Sequence, residues 1–460
     1  MDKDNALGRC ARATRMPGTW ALLLLLVVAS RLLAGQAPES NRLLVGYADI
    51  DITPPLGVPM PGYFQERKAT GVLDTLLAKS LVLTKGEVTL AIIALDLIGL
   101  SDSIVADIRG EIQRQTGIAP ERIFIHAIHT HTGAAVSHIK DRLAAQVTTA
   151  VKKAVEKRVD ENRVTLGACN ERSIAFIRRY LMEDGTVRTN PGRGNPRIVR
   201  PIGDIDPAVY AMSFETAKIV LVSYGLHPDC VSGDKYSADY PYHMTEAIRE
   251  TLGPDWNVIF LNACCGNVNH INVKDKSQRS SYDESRKIGR TLAEAALAAR
   301  DNSRDLVMDT IAARAGTVQC PARIVPKNLR EWAERQIQEN PAEASRRKFN
   351  EYTPSRIMKL TEAEGTTRPA EIIVFRIGDV AIVGLPGEVF VEVARDIKTH
   401  SLTDPTLVIG LTGGSMGYIP HPRGYQEGGY EATFGSARNS PETPILWCDT
   451  AARLIKELRN

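Results

Sequence analysis

Three histidines stand close together at the end of an apolar segment of this chain. The segment Ile123–Ala135 reads IFIHAIHTHTGAA and contains His126, His129 and His131, whereas the whole chain has only 9 histidines among 460 residues. Its first part predicts a strand over Ile123–Ile128, and side chains two residues apart point to the same face of a strand. His129 and His131 are therefore expected to face one site, although a neutral histidine with both nitrogens hydrogen-bonded is also common in protein cores.

Two further groups that bind metals occur where other predicted elements end. His227 follows the apolar strand of IVLVSYGLHPDC, which the next residue, a proline, brings to a stop. Glu388 follows the strand and turn of AIVGLPGEVF at the start of an amphipathic helix, where the helix dipole alone would favour a carboxylate. Together, His129, His227 and Glu388 form the donor set of a hydrolytic zinc site with open positions.

The first 37 residues have the pattern of an export signal. A basic leader precedes an uncharged run over Met16–Ser30, and small residues gather around Ala34–Ala37, which predicts a signal peptide and a secreted or periplasmic protein. The alternative, a membrane anchor, needs about 20 apolar residues, and Arg31 ends the run earlier. The leader also accounts for the net charge of +3, so the near-neutral remainder lacks the positive face that nucleic-acid binding requires.

Residues 38–460 contain neither a repeat nor a low-complexity linker, and they predict a single domain of the mixed α/β class. The six cysteines of this part show no CxxC spacing, which argues against a cysteine-based zinc site. Helices are predicted over Asp102–Thr116 and Ile139–Arg158. Strands are predicted over Leu44–Ile52, Ala78–Leu83, Thr89–Leu95, Ile123–Ile128, Ala217–Tyr224, Val258–Leu261, Ile372–Ile377 and Ala381–Leu385.

Residues 321–369 differ in composition from the residues around them. They are polar, highly charged and short of strand-forming side chains, and the stretches NLREWAERQ and PSRIMKLTEAE predict two helices. This segment is either a helical cover over the site or a solvated insertion without a functional role.

Five motifs in a fixed order resemble the catalytic domain of the neutral/alkaline non-lysosomal ceramidases. They are HTHTG, LHP, GNVN, LPGEVF and GYIPHPRGYQEGGYE, and the resemblance runs from about Val45 to Phe434. It implies a mixed-sheet α/β zinc hydrolase domain. The zinc ligands that it implies are His129, His227, Glu388 and Tyr418.

The same resemblance assigns residues to catalysis. It implies that His131 is catalytic rather than a ligand, and that an arginine of AFIRRYLMEDG contributes. That arginine is taken to be Arg178, with Arg172 and Arg179 as alternatives. In GNVN, Asn269 replaces the motif serine of the family; its amide donates a hydrogen bond but cannot act as a nucleophile. The ceramidases also have a C-terminal β domain, and this chain is expected to lack it because few residues follow the matched motifs.

The expected function is hydrolysis of the amide bond of an N-acyl compound, ceramide-like or smaller, by a hydroxide on Zn²⁺ that attacks the carbonyl. His131 would protonate the leaving group or steady the oxyanion, Arg178 would supply positive charge, and Asn269 would orient the substrate. The alternatives are a zinc-dependent hydrolase of a carboxylic or phosphoric ester and a non-catalytic binding protein that retains the fold. A lipid substrate would imply peripheral contact with a membrane.

Overall fold

The computed structural model describes residues 42–63, 65–341 and 353–459. The residues from Leu43 onwards group into one compact unit. The predicted signal peptide of residues 1–37 lies outside the described residues and stays a prediction. In the part of the chain that the structure describes, no helix is both long enough and apolar enough to cross a membrane.

The strands of four residues or more are numbered β1–β14 and the helices α1–α9 in chain order; shorter strands are named by their residues. The strands are β1 (Leu43–Asp51), β2 (Leu77–Lys85), β3 (Val88–Leu95), β4 (Ile123–Ala127), β5 (Val164–Asn170), β6 (Arg179–Met182), β7 (Ile198–Pro201), β8 (Ala208–Phe214), β9 (Ile219–Tyr224), β10 (Asn257–Asn262), β11 (Ile311–Pro321), β12 (Thr367–Ile377), β13 (Val380–Gly384) and β14 (Thr406–Ile409). The helices are α1 (Asp102–Thr116), α2 (Lys140–Glu156), α3 (Tyr240–Leu252), α4 (Tyr282–Asp301), α5 (Lys327–Glu339), α6 (Pro354–Glu362), α7 (Val391–His400), α8 (Pro422–Glu427) and α9 (Thr443–Arg459).

Three mixed sheets carry the fold. The first has the order β4-β3-β2-β1 with Val159–Asp160 at its edge, and the second has the order β10-β9-β8-β5 with Arg304–Asp305 at its edge. The third has the order β11-β12-β13-β14. In each sheet the pair at one edge is parallel, namely β3 with β4, β9 with β10 and β13 with β14, and the other pairs are antiparallel.

The parallel edges of the three sheets meet. Isolated bridges join His126 to Thr412 and Ala263 to Ile409, and so connect the ends of β4, β14 and β10. Loops at the carboxyl ends of parallel strands are where open α/β sheets place their ligand sites. The candidate residues that follow such strand ends are His129 and His131 after β4, His227 after β9, Asn269 after β10, Glu388 after β13 and Tyr418 after β14.

The first sheet is buried on both faces, which explains why its strands are continuously apolar. In β3, Leu90 and Ile92 face a core shared with the other two sheets, whereas Ile93 and Leu95 face a separate core beneath α1 and α2. Helices α3 and α4 cover the second sheet, and α7 and α9 pack on the third.

The predicted elements are present in the structure. The predicted helix over Asp102–Thr116 agrees with α1 at both ends, because the Ser101 hydroxyl accepts from the Ile104 N–H at one end and Gly117, with φ 74°, closes the other. Every predicted strand has a counterpart. The largest difference is at β12, which begins at Thr367 rather than at Ile372.

The polar segment of residues 321–369 contains the two predicted helices, α5 and α6, and it interrupts a β-hairpin. Strands β11 and β12 pair without a break from Ile311 opposite Ile377 to Pro321 opposite Thr367. Both helices lie between these strands in the chain and pack against each other. The sheet therefore holds the segment at both of its ends.

Candidate metal centre

His129 lies beyond the end of its strand and does not have an extended backbone. Strand β4 ends at Ala127, and His129 has a φ of 80°, a conformation that costs about 1–3 kcal/mol for a residue other than glycine. Its N–H donates to the Leu97 carbonyl at 2.9 Å, which helps to hold this conformation. The prediction that strand alternation turns His129 and His131 to one side is therefore wrong in its reasoning, although the centroids of the two rings lie only 5.0 Å apart.

The rings of His129 and His227 point their Nε2 atoms at each other. His129 Nδ1 lies 2.6 Å from the Ile98 carbonyl oxygen, and His227 Nδ1 lies 3.1 Å from the Cys265 carbonyl oxygen. Because a carbonyl oxygen only accepts, each Nδ1 carries the proton in a neutral ring and each Nε2 presents a lone pair. The two Nε2 atoms are 3.0 Å apart, so two lone pairs face one point.

Glu388 brings a carboxylate to the same point. Its Oε2 lies 3.3 Å from His129 Nε2 and 3.4 Å from His227 Nε2. Glu388 belongs to the short strand Glu388–Val389, and helix α7 begins only at Val391. The dipole of α7 therefore does not explain why a carboxylate stands here.

Tyr418 lies beside Glu388, because the short strands Glu388–Val389 and Tyr418–Ile419 pair in parallel with these two residues opposite each other. The Arg178 guanidinium links Tyr418 to the histidines. Its Nη2 donates to the Tyr418 hydroxyl at 2.9 Å, and its Nη1 lies 3.4 Å from His227 Nε2. The structure thus brings together all four ligands that the resemblance implies, with Arg178 next to them.

A buried carboxylate holds Arg178 in place. Glu431 accepts from Arg178 Nε at 2.7 Å and from the Thr189 hydroxyl at 2.6 Å, and the side chains of Arg178 and Glu431 are only 6% and 0% exposed. Of the two alternative arginines, Arg179 pairs with Glu427 at 2.9 Å and reaches the far oxygen of Glu431 at 3.8 Å, whereas Arg172 forms an exposed ion pair at 3.2 Å. Arg178 is the one of the three that contacts the cluster.

Burial and neighbouring charges set the protonation of these groups. Burial, followed by the charges of Arg178 and His129, lowers the pKa of His227. Burial raises the pKa of Glu388, and positive charge on the two neighbouring rings lowers it well below its usual value, so a cation at this point favours the ionised carboxylate. Burial also raises the pKa of Tyr418, against the opposing charge of Arg178. A neutral imidazole and an ionised carboxylate are the forms that bind a metal ion.

These donors fit a metal ion. The Glu388 Oε2 atom is buried and has no hydrogen-bond partner, and an ionised oxygen in that state is costly unless a cation compensates it. Neither histidine offers this oxygen a proton, because both protons are held on Nδ1 by carbonyls. Two nitrogen lone pairs and one carboxylate oxygen at one point are what a divalent cation requires.

His131 is turned toward the same cluster. Its ring centroid lies 5.4 Å from that of His227, and its buried Nε2 has no hydrogen-bond partner. Nitrogen atoms of His129, His131 and His227 all lie within 4.8 Å of one another. Burial, followed by the two neighbouring histidines, lowers the pKa of His131 well below its usual value. His131 is thus placed either to exchange a proton beside the metal or to bind it.

Asn269 pairs with Phe176 in the short strand that precedes Arg178. It forms no hydrogen bond with the metal-binding cluster. Its Nδ2 donates to Asn190 Oδ1 at 3.0 Å, and its Oδ1 accepts from the Ile271 N–H at 3.1 Å. These bonds fix the amide of Asn269, whose side chain is fully buried.

Tyr63, Arg67 and Glu431 contribute to the site but are not predicted from the sequence. The Tyr63 ring stands edge-on to His131 at 5.6 Å, and Arg67 lies over that ring and donates to the His131 carbonyl at 2.6 Å. Tyr63 and Arg67 lie in a region without periodic pattern, so the sequence carries no signal for them. Glu431 stands within the motif GGYE, where a charge after an aromatic residue was the available signal.

A cavity of about 650 Å³ opens onto the centre. Glu388, Tyr418 and Tyr430 line it, and the Tyr430 ring lies 5.7 Å from that of Tyr418. Helix α6, which belongs to the segment inserted in the hairpin, also contributes to its lining. The cavity is large enough for a small organic molecule or part of a lipid.

Comparison with known proteins identifies the fold. No protein-family model and no curated protein sequence matches this chain. The neutral ceramidase of Pseudomonas aeruginosa has a similar structure, with a TM-score of 0.71 and 17% sequence identity over 91% of this chain and 75% of the ceramidase chain. A ceramidase complexed with C2 gives a TM-score of 0.70 at 16% identity over the same shares. The predicted fold class is confirmed: this chain has a mixed α/β fold like that of the neutral ceramidases.

Proposed function

We propose that this protein is a zinc-dependent hydrolase of the amide bond in an N-acyl compound. The observation that carries the proposal is the convergence of three atoms, His129 Nε2, His227 Nε2 and Glu388 Oε2, which lie within 3.0–3.4 Å of one another. None of the three carries a proton when both histidines are neutral and the carboxylate is ionised. Imidazole and carboxylate donors suit zinc. Proteins of the same fold are ceramidases, and ceramide is itself an N-acyl compound.

The proposed ligands are His129, His227, Glu388 and Tyr418. Zinc bound there would supply a Lewis acid that polarises a carbonyl group and makes water acidic near neutral pH. Arg178 holds the Tyr418 hydroxyl with Nη2 and fixes positive charge beside His227, which suits a site where negative charge develops on the substrate. Tyrosine coordination requires loss of the phenolic proton; burial raises the pKa of Tyr418 well above its usual value, and the charge of Arg178 acts in the opposite direction.

His131 is the proposed proton-transfer group. Its buried Nε2 has no hydrogen-bond partner, and its ring packs edge-on against Tyr63. The backbone on both sides of the ring is fixed, since the His131 N–H donates to the Pro228 carbonyl and its carbonyl accepts from Arg67. A neutral imidazole held in this way can take a proton from water and deliver it to the leaving amine.

We further propose that the protein works outside the cytoplasm on an N-acyl substrate, lipid or smaller. Export rests on the pattern of residues 1–37, with a basic leader and a short apolar run. A lipid substrate would bring the protein into peripheral contact with a membrane. N-terminal sequencing of the exported protein tests the leader, and a start at Met1 would mean that the leader is an anchor.

The function is tested by a metal assay and a hydrolysis screen on the purified protein. We expect about one zinc ion per chain by elemental analysis, hydrolysis within a panel of N-acyl amides, and loss of that hydrolysis after dialysis against a chelator. Zinc added back should restore it. The panel should include carboxylic and phosphoric esters, because preferential ester hydrolysis would favour the alternative enzyme, and a zinc-loaded protein inert toward all of them would favour a binding protein.

Replacing His131 by alanine separates its two candidate roles. If His131 transfers protons, His131→Ala should lower kcat by about 10²- to 10⁴-fold while the zinc content stays at the wild-type level. If it is a ligand, the zinc content should fall as well. Elemental analysis and steady-state kinetics on the same preparation distinguish the outcomes, and unchanged kcat with unchanged zinc would remove His131 from the mechanism.

A further inference from the structure

The cavity beside the metal centre has a strongly positive lining. Among the described residues that line it, the only acidic one is Glu388, which is turned toward the two histidines. The basic residues of the lining are Arg356, Lys359, Arg368 and Arg438. Apart from Glu388, the charged residues that the described part of the chain contributes to this lining are all basic.

Two of these cations already have partners. Arg368 forms an ion pair with Asp102 at 2.6 Å, and Arg356 donates to the Gly435 carbonyl at 3.2 Å. In contrast, Lys359 and Arg438 are exposed, and neither forms an ion pair within the ranges that the structure describes. Their charges face the cavity without a counter-ion from the described chain.

Arg438 lies close to the proposed metal ligand Tyr418. Its Nη2 lies 3.8 Å from the point where a side chain on Gly417 would begin, and Gly417 directly precedes the proposed ligand Tyr418. The Tyr418 N–H donates to the Ser436 carbonyl at 3.2 Å, on the loop that leads to Arg438. A substrate whose scissile bond lies at the metal can therefore reach Arg438 without leaving the cavity.

The surroundings of Arg438 favour an anion. Arg438 is exposed as a whole residue but partly desolvated by the protein around it, and this desolvation, followed by the like charge of Arg368, lowers its pKa, although a guanidinium remains protonated at neutral pH. Asp102 pairs with Arg368, and no described carboxylate pairs with Arg438, so these two guanidinium groups together carry excess positive charge. The planar guanidinium group binds carboxylate, sulfonate and phosphate oxygens through paired hydrogen bonds.

We propose that this cavity binds an oxyanion group of the substrate through Arg438, with Lys359 and Arg368 nearby, so that the substrate is an acidic N-acyl compound. This inference rests on the proposed hydrolase function. Sulfonate, carboxylate and phosphate groups would all suit this site, because each carries an oxyanion that can extend from the scissile amide into the cavity. A neutral N-acyl lipid offers these cations no partner, and it should be the poorer substrate.

The test compares substrates that share one acyl chain. N-dodecanoyltaurine, N-dodecanoylglycine and N-dodecanoyl-phosphoethanolamine carry a sulfonate, a carboxylate and a phosphate, and N-dodecanoylethanolamine is the neutral reference. We expect the wild type to prefer at least one acidic substrate in kcat/KM, and Arg438→Gln to lower that preference about 10- to 100-fold through loss of charged hydrogen bonds. Arg438→Lys should keep part of the preference. Arg314→Gln, at an exposed position of β11 outside the cavity lining, should keep all of it.

Two kinetic results overturn the proposal: a wild type that prefers the neutral ethanolamide, and an Arg438→Gln protein that loses the same factor on every substrate. A binding arm separates this proposal from the hydrolase function. Calorimetry with octanesulfonate on chelator-treated protein should show binding at least about tenfold weaker in Arg438→Gln than in Arg314→Gln. If no amide is hydrolysed but this difference is found, the hydrolase function fails and the anion site stands. Equal binding by the two variants refutes the anion site whatever the activity.

Discussion

Replacing either His129 or His227 by alanine is expected to abolish stoichiometric zinc binding and to bring amide hydrolysis below detection. Each variant removes one Nε2 lone pair from a point where the two Nε2 atoms stand 3.0 Å apart and Glu388 Oε2 lies 3.3–3.4 Å away. The remaining donors cannot replace the lost bond, because their positions are fixed by the sheets. Elemental analysis of the purified variants, with circular dichroism to confirm folding, measures this.

Two other histidines provide controls. His138 is exposed, and His138→Ala should bind zinc as the wild type does. His126 is buried, with Nδ1 2.8 Å from the Gly410 carbonyl oxygen and Nε2 accepting from the Asn262 N–H at 3.0 Å, so both of its nitrogens are already used. His126→Ala should lower stability but keep zinc. Undiminished zinc in both His129→Ala and His227→Ala would show that the metal lies elsewhere.

The second large effect is expected on stability. Arg178→Met should lower the free energy of unfolding by about 3–5 kcal/mol, since it leaves the buried carboxylate of Glu431 without its main partner. The two side chains are 6% and 0% exposed and their ion pair is 2.7 Å long. The same variant should also lower kcat/KM, because the Tyr418 hydroxyl and the His227 ring both lose a neighbour. Chemical denaturation and steady-state kinetics measure the two effects.

Matched variants identify the cause. Arg178→Met combined with Glu431→Gln should be more stable than Arg178→Met alone, because the buried charge that keeps only Arg179, at 3.8 Å, as an ionic partner is then removed as well. Arg172→Met breaks only an exposed ion pair with Asp204 and should cost about 1 kcal/mol or less. Equal stability losses in Arg178→Met and Arg172→Met would contradict the buried-charge explanation.

The sequence is informative wherever a feature depends on neighbours in the chain. The strands are long apolar runs, and α1 carries its own end signals in Ser101 and Gly117. His129, His227 and Glu388 are recognisable because each interrupts an apolar run with a group that binds metals. Tyr418 and Arg178 have no such local mark, and only the ordered motifs of a resembling family point to them.

What the sequence does not reveal depends on contacts distant in the chain. Glu431 lies 253 residues from the arginine that it holds, and no local pattern connects two residues at such a distance. The orientation of His129 is a second case, because its left-handed φ of 80° goes with a hydrogen bond to the Leu97 carbonyl, which is distant in the chain. Zinc, the substrate and the roles of His131 and Asn269 stay predictions that the experiments above address.

The hairpin of β11 and β12 allows the inserted segment to change without a change in the sheet. Its strands stay in register from Ile311–Ile377 to Pro321–Thr367, so residues added or removed between them leave the sheet unchanged, and lengthening such a connection costs little free energy, about 0.6 kcal/mol for each doubling. Yet α6, which supplies Arg356 and Lys359 to the cavity, lies within that connection. Changes in this connection can thus alter the cavity wall while the proposed metal ligands, carried by other strand ends, keep their geometry.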